Sequence, residues 1–581
     1  MRAFAALTRL EGVWGPETRR ELQNLKNAGP HPPTIRPLMD LSELIAGLDV
    51  TTVPPVAGLK PCRVCDITED SRTVVPGSLF IARKGLKSDG KQYVSDALRG
   101  GAVAILTDDP TVSDAVRAGL PVIHATDIQL ASAQIAERFY GSPTRSLKVA
   151  GVTGTNGKST ITYLIWQLMN RAKVRCGLIG TVLVDDGAEV ASANMTTPPA
   201  VELSRTFSTM VDAGCAAAAM EISSHALDQR RADALNLLVG VFTNLTGDHL
   251  DYHKTMERYA EAKARLFTLL PDKGVAIVNS DDPYHELMIA GCKARVWRCA
   301  LNASPTEADP AGKDECRATV VEESMDGTQI VMEGPWGVIE ALVPLVGRYN
   351  AMNVLQAVAA SHALGLTREQ LCGGLPTLLP PPGRLQRVST VKDSVIVFVD
   401  YAHSDDSLRN CLSCVGSLIP GRQRGGALLR NASGTMRPSP LPARAGAPAT
   451  GRLWVVFGCG GDKDRTKRPR MGQAAIELAD EVVVTSDNPR TEQPQDIVNE
   501  ILQGVPTEQR NRVVVQLDRG MAIRHAVEHA GAGDVIVIAG KGHETEQVIL
   551  SPDGSGRTMT IHFDDREVAR AGLDARGRGK G

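Results

Sequence analysis

Residues 148–164 read KVAGVTGTNGKSTITYL: a short apolar run, a glycine-rich loop and the start of a helical pattern, in that order. Val149, Ala150 and Val152 make the run, Gly151, Gly154 and Gly157 punctuate the loop, and the helical pattern opens after Lys158, Ser159 and Thr160. Glycines let backbone N–H groups approach phosphate oxygens, and a helix N-terminus adds a favourable dipole. Gly154, Thr155, Asn156 and Gly157 are thus candidate backbone contacts to phosphate. Lys158 brings a point charge for the terminal phosphates and Ser159 a hydroxyl for Mg²⁺. Val152 stands where the common pattern G-x4-G-K-[ST] has its first glycine. The assignment therefore rests on strand, loop and helix agreeing, against the competing reading of an ordinary Gly-rich turn.

Working outward, 581 residues exceed what one core holds, so several domains are expected. A hydrophobic content of 43% and a charged content of 22% are those of an ordinary globular protein. With 64 basic against 66 acidic residues, nothing argues for a nucleic-acid partner, and 4% aromatic content offers no stacking platform for single strands. No stretch nears the ~18 apolar residues of a membrane span, and the start of the chain is too charged for a secretory signal. A cytoplasmic monomer is expected. Cys62 and Cys65 form a lone C-x-x-C with no second pair nearby, so free thiols are the better reading than zinc.

Residues 1–38 read as a Pro-rich extension. A small α/β domain follows at 39–145. In it Ser71, after Asp70, lies in a turn, and Lys87 and Ser88 lie in a Gly-bounded loop. From 146 to 382 strand-like and helical segments alternate, which predicts a mostly parallel sheet wrapped by helices, with ligands at the carboxyl ends of the strands. Glu221 ends one strand, followed by Ser223, Ser224 and His225. Asn244 ends another, followed by Asp248, His249, Asp251 and His253. A carboxylate among small polar groups at such a place suits Mg²⁺, while turn or cap roles compete. Lys263, between Glu261 and Arg265 on a helical pattern, reads by spacing alone as solvated. Asn350 and Asn353, near the start of a helix, could reach a base edge or cap the helix. A second open α/β sheet occupies 383–581. Its strands end in charged or Gly-rich loops, and a Gly-, Pro- and Arg-rich insertion at 421–451 reads as a flexible surface segment.

The stretches DSRTVVPGSLFIA, GVTGTNGKST, MEISSHALDQRR, VFTNLTGDHLDYH, YAEAKARLF, GRYNAMNVLQA, VDYAH, FGCGGDKDRTKRP, SDNPRTE and AGKGHE run in order from about residue 70 to 544. Together they resemble the Mur ligase family. The resemblance implies a three-domain α/β architecture: a substrate-binding domain, a central P-loop ATPase-like parallel sheet and a C-terminal Rossmann-like domain. It implies an ATP-dependent amide ligase of peptidoglycan synthesis that works through an acyl phosphate. The substrates it implies are UDP-N-acetylmuramoyl-L-alanyl-D-glutamate, meso-diaminopimelate and ATP.

By family pattern, Ser159 and Glu221 face one Mg²⁺, and His249 and a carbamylated Lys263 a second. Lys158, Glu221, His249 and Lys263 form the catalytic set. Asn353 and Arg384 meet the nucleotide, and Asp400 and His403 close over it. Ser71, Lys87 and Ser88 take the uridine diphosphate part. Thr196, Thr197, Ser223, Gln229 and Arg231 hold the muramoyl dipeptide. Asp487, Asn488, Pro489 and Arg490 match the family's diaminopimelate signature, in which Arg490 offers a bidentate fork to the distal carboxylate. Gly540 and Glu544 take the distal amine and nearby groups.

Three departures stand out: Lys463 where the family often has Arg, Asp405 where Pro is usual, and Leu86 where a polar residue can occur. A lysine-adding or folylpolyglutamate-type sister ligase, or a nucleotide-binding homologue without catalysis, are the alternatives. The DNPR and GKGHE motifs and the full catalytic set speak against them.

Overall fold

A computed structural model describes residues 38–55, 61–85, 89–112, 115, 119–301, 314–420, 422, 428–430, 436–438, 451–551, 553 and 556–578. Residues 1–37, Leu86, Lys87, Ser88 and most of the 421–451 insertion lie outside them. Within that insertion Leu428–Arg430 pairs antiparallel with Met436–Pro438, where no regular structure was expected.

Three larger sheets organise the chain. The first has five strands in the order Val50–Val53, Val122–Ala125, Ala104–Thr107, Ser78–Ala82 and Asp66–Thr68, parallel except for its first pair. The helices Val94–Arg99 and Ile128–Phe139 pack against it.

The central sheet has eleven strands. Lys148–Thr153 lies between Ala217–Glu221 and Leu237–Phe242, parallel to both, and Val275–Asn279 and Arg295–Leu301 extend the parallel run. The short strands Leu183–Asp185 and Val190–Ser192, and the hairpin Gly327–Gly334 with Gly337–Val343, close its two edges antiparallel. Side chains alternate along a strand. Val149, Ala218 and Met220 therefore face the helices Ala200–Asp212 and Met256–Thr268, while Ala150, Val152 and Ala219 face Lys158–Arg171 and Arg348–Ala363. Both faces are covered, so these strands read as continuous apolar runs.

The last sheet runs Gln386–Arg387, Ile396–Asp400, Val535–Ala539, Leu453–Phe457, Glu481–Val484, Val513–Val515. The chain enters at one side and returns by Val535–Ala539 to the middle, next to Leu453–Phe457. Helices Asp405–Ser417, Lys467–Leu478 and Pro494–Leu502 cover one face, and Arg519–His529 and Asp565–Arg578 the other. Leu453–Phe457 is followed by a helix on one face, whereas its neighbour Val535–Ala539 is entered from the helix Arg519–His529 on the other, so the carboxyl ends of these strands border the crevice where a doubly wound sheet binds its ligand. A terminal hairpin, Glu546–Leu550 with Thr558–His562, reaches back to this crevice.

Candidate active site

The glycine-rich loop leaves its strand at Gly154, whose φ is +146°. A Cβ there would collide with Thr243 Oγ1, and at Gly157 (φ +86°) one would stand 2.6 Å from Asn353 Oδ1. The loop is pinned from the neighbouring strand's end. Thr155 N donates to Asn244 O at 2.8 Å, Asn156 N to Asn244 Oδ1 at 2.9 Å, and Thr243 Oγ1 to Asn156 O at 2.5 Å. Lys158 opens the following helix, with Ser159 half-buried and Thr160 buried beside it. Its Nζ donates to Gly154 O at 3.0 Å and Thr155 O at 2.8 Å.

Glu221 is buried at the end of its strand. Its carboxylate accepts from Ser159 Oγ at 2.9 Å, from Thr181 N at 2.6 Å and from Thr181 Oγ1 at 3.0 Å. Thr181 Oγ1 also meets Thr196 Oγ1 at 3.0 Å. The candidate metal carboxylate and the loop serine are therefore in direct contact. Thr181, not anticipated from the sequence, joins them.

Lys263 departs from the solvated position its spacing suggests. It is 1% exposed, because helix Met256–Thr268 turns this face onto the glycine-rich loop. Its Nζ donates to Gly154 O at 2.7 Å and lies 4.4 Å from the centre of the Tyr259 ring. Burial pushes this amine well below the usual lysine range, Lys158 adds to the push, and Asp248 opposes it. His249, left-handed at φ 53°, brings its ring to 6.2 Å from Tyr259 and 4.9 Å from His225. Tyr259 is thus the common neighbour of Lys263 and His249, and its hydroxyl meets Thr155 Oγ1 at 3.2 Å.

Asn350 and Asn353 do not cap their helix. Gly347 holds the cap position, and both asparagines are buried in the first turns. Asn353 Nδ2 donates to Asn350 Oδ1 at 3.0 Å, with its oxygen toward Gly157.

Arg384 stacks on Tyr401 at 4.6 Å, and its Nε is buried without a hydrogen-bond partner. It is an electrostatic neighbour of Lys158. Asp400 is committed to the backbone: Oδ2 accepts from Leu385 N at 2.6 Å and Oδ1 from Ala402 N at 2.8 Å. It braces the Arg384 segment. His403 Nδ1 meets Tyr401 O at 2.8 Å, and Lys467 Nζ donates to His403 O at 2.7 Å.

Facing the first sheet, Arg231 Nη1 donates to Thr197 O at 2.6 Å and its Nε and Nη2 to Gln229 Oε1. Across from it stand Arg83 and Glu69 of the first sheet's loops. Thr197 Oγ1 donates to Glu221 O, and Ser223 Oγ caps its short helix by accepting from Ala226 N. Thr196, Thr197, Ser223, Gln229 and Arg231 are therefore one connected wall beside Glu221. Ser71 opens a 3₁₀ turn in the first sheet, capped by Asp70.

In the C-terminal crevice, Arg490 is left-handed at φ 52° and its Nη1 donates to Gly461 O at 2.7 Å. Its N–H bonds Val548 O of the terminal hairpin at 3.1 Å. Asn488 Nδ2 donates to Glu544 Oε2 at 2.9 Å. Gly540 (φ +116°) has no room for a Cβ, which would stand 2.6 Å from Asp487 Oδ2, and Gly461 packs against Pro489 O. Lys463 is exposed on the same loop. Tyr401 is an electrostatic neighbour of Arg384, Glu544, Asp487 and Arg490, so it stands between the two groups of candidates. The sequence motifs VDYAH and AGKGHE contain Tyr401 and the buried Lys541, neither of which is among the candidates that the sequence offers.

Three family descriptions match: "Mur ligase family, catalytic domain" over residues 64–140, "Mur ligase middle domain" over 152–361, and "Mur ligase, glutamate ligase domain" over 442–542. A UDP-N-acetylmuramoyl-L-alanyl-D-glutamate–2,6-diaminopimelate ligase of Gloeobacter violaceus is 40% identical over 542 residues, covering 93% of this chain and 99% of its own. The protein of that name from Geobacter metallireducens is 40% identical over 534 residues, covering 88% and 94%. A solved structure of such a ligase superposes with a TM-score of 0.61 at 30% identity, covering 93% of this chain and 100% of its own. A MurF ligase of Thermotoga maritima in complex with ADP superposes at 0.55 and 17% identity, a likeness of fold.

Proposed function

The chain belongs to the Mur ligase family, and from that premise we propose that it joins meso-2,6-diaminopimelate to UDP-N-acetylmuramoyl-L-alanyl-D-glutamate at the expense of ATP. The units doing so are 39–145, 146–382 and 383–581. The observation that carries the reading is the meeting of Lys158, Lys263 and Tyr259 on the loop at Gly154, with Glu221 on Ser159 beside them.

The D-glutamate side-chain carboxylate attacks the γ-phosphorus of ATP, and ADP leaves. The diaminopimelate amine then attacks the acyl carbon, and phosphate leaves with one former carboxylate oxygen. Both partners in the first step are anions, so the chain's task is to position them and neutralise charge. The backbone N–H groups of residues 154–160 cradle the phosphates. Lys158 exchanges its loop carbonyls for the terminal phosphate. Asn353 and Arg384 hold the nucleotide, with Asp400 bracing Arg384 and His403 closing beside it.

The residues fit Mg²⁺, a hard cation that takes few protein ligands. Glu221 is an oxygen donor surrounded by hydroxyls, and Ser159 is one of them. Burial lowers the Lys263 amine and so favours the form able to add CO₂; the carbamate, formed with loss of a proton, would be an anionic oxygen ligand next to Tyr259, the neighbour it shares with His249. Bound there, Mg²⁺ supplies positive charge at the transferring phosphoryl group.

Ser71 and the loop of Lys87 and Ser88 take the uridine diphosphate, and Thr196, Thr197, Ser223, Gln229 and Arg231 line the dipeptide. Arg490 takes the distal carboxylate of diaminopimelate, Asp487, Asn488, Pro489, Gly540 and Glu544 the groups around it, and Lys463 the nearer carboxylate as a point charge. Substrates held by separate sheets require closure before chemistry.

The test is ADP release with the muramoyl dipeptide and a panel of diamino acids. Diaminopimelate should exceed L-lysine in kcat/KM by about 10–100-fold, the scale of a charge-assisted hydrogen bond. Equal use of the two would remove the assignment.

A further inference from the structure

Lys541 is a fully buried lysine (0% exposed) beside the C-terminal crevice, and none of the roles above uses it. Its Nζ donates to Asn488 Oδ1 at 3.2 Å, to Glu544 Oε2 at 3.0 Å and to Glu546 O at 2.6 Å. Every N–H of the ammonium is matched. The partners come from the loop after Glu481–Val484, the loop after Val535–Ala539 and the first strand of the terminal hairpin. Asn488 Oδ1 also accepts from Val548 N at 3.0 Å. Two donors on that oxygen fix the amide's orientation and send Nδ2 to Glu544 Oε2 at 2.9 Å. Glu544 thus has Oε2 held by two donors, while its side chain remains 33% exposed.

We propose that Lys541 is the positioning residue of the amino-acid pocket. It fixes the Asn488 amide and the Glu544 carboxylate together, so that the remaining carboxylate oxygen and the second Nδ2 proton select the configuration of the distal centre. A carboxylate oxygen beside an amide donor complements an ammonium beside a carboxylate, the two groups on the distal carbon of diaminopimelate. Held rigidly, they accept one arrangement of those groups and leave the other with an unpaired polar contact. The proposal rests on the diaminopimelate reading and goes beyond it by assigning the choice of stereoisomer to a residue that touches no substrate.

The experiment compares the full chain with Lys541→Met, Glu544→Gln and the double variant, reading ADP release with meso- and L,L-diaminopimelate. In Lys541→Met, KM for the meso isomer should rise about tenfold or more and the meso preference should fall toward unity. KM for ATP and for the dipeptide should stay within about twofold. The double variant should lose no more than Glu544→Gln alone, because the lysine acts through the carboxylate. Unchanged isomer preference, an equal rise in all three KM values, or additive losses would overturn the proposal. Should Lys541→Met not fold, Asn488→Asp serves instead. It is close in size and keeps an oxygen for Lys541 but removes the donor to Glu544, so the same loss of preference is expected, and an unchanged preference overturns the proposal. An unmodified enzyme that ignores diaminopimelate and uses another amine would strike the functional reading itself, and this proposal with it.

Discussion

Lys158 and Lys263 donate to one acceptor, the carbonyl of Gly154, at 3.0 and 2.7 Å. Two ammonium groups this close to one oxygen repel each other, and the more deeply buried one yields. Burial lowers both; Glu221 opposes the shift at Lys158, whereas at Lys263 the neighbouring Lys158 adds to it. One loop carbonyl thus gathers two amines whose charged neighbours bias them differently.

Replacing Lys263 with Ala should therefore abolish ligation, by about 10²–10³-fold or more if it carries charge stabilisation, while ADP affinity measured by calorimetry changes little. Depleting CO₂ should slow the unmodified enzyme and leave the variant's residual rate unchanged. Normal turnover in Lys263→Ala would remove the carbamate.

Gly154→Ala should lower ADP affinity about tenfold or more and reduce the melting temperature. The new Cβ meets Thr243 Oγ1 at a φ of +146° that side chains rarely adopt. Gly373→Ala, with nothing within 4 Å of its Cβ and a place in the helix Arg368–Gly374, should be neutral or mildly stabilising. Calorimetry and thermal melts separate the two.

Arg519 and Asp565 form an ion pair with both side chains at 0% exposure, and Arg519 also donates to Ala539 O at 2.9 Å. Removing one partner strands a buried charge, so Asp565→Ala should cost about 3–5 kcal/mol. The double change Arg519→Met with Asp565→Leu should recover much of that. Trp454, packed in the same core, reports the transition by fluorescence in a denaturant titration.

His543 is pushed down to about 3 from 6.5 by burial, with Arg384, Arg566 and Lys541 adding to it. Its folded value lies below its unfolded one, so the unfolded chain binds the proton more readily. The contribution is fully present above about pH 6.5 and is lost as pH falls toward 3. His543→Asn should flatten the stability–pH slope in that window, as read from denaturant midpoints.

What could be read from the sequence was what local pattern controls. The run at Val149–Val152, the glycines and the helix start at Lys158 interact with near neighbours, and the alternation of strand and helix that follows is a matter of spacing. Burial of charge was not legible. Lys263, Arg468, Arg519 and Lys541 all sit in charged stretches that look solvated, yet each is at most 1% exposed, because partners far along the chain enclose it. Arg468, for example, is held by Glu492 and Glu500 from a different loop and helix. The strand Val513–Val515 is too short to announce itself. The terminal hairpin did carry a signal in the sequence: the turn-favouring types Pro, Asp and Gly at 552–554 separate an apolar run, Val548–Leu550, from an alternating one, Thr558–His562.

The most direct test of the acyl phosphate follows an oxygen atom. The dipeptide substrate is labelled with ¹⁸O in the D-glutamate side-chain carboxylate, and the released phosphate is weighed after a turnover with ATP and diaminopimelate. One labelled oxygen should appear in each phosphate, because the carboxylate becomes the bridge to phosphorus before the amine displaces it. Phosphate without label, or no ATP consumed when the dipeptide and an amine are both present, would contradict the account.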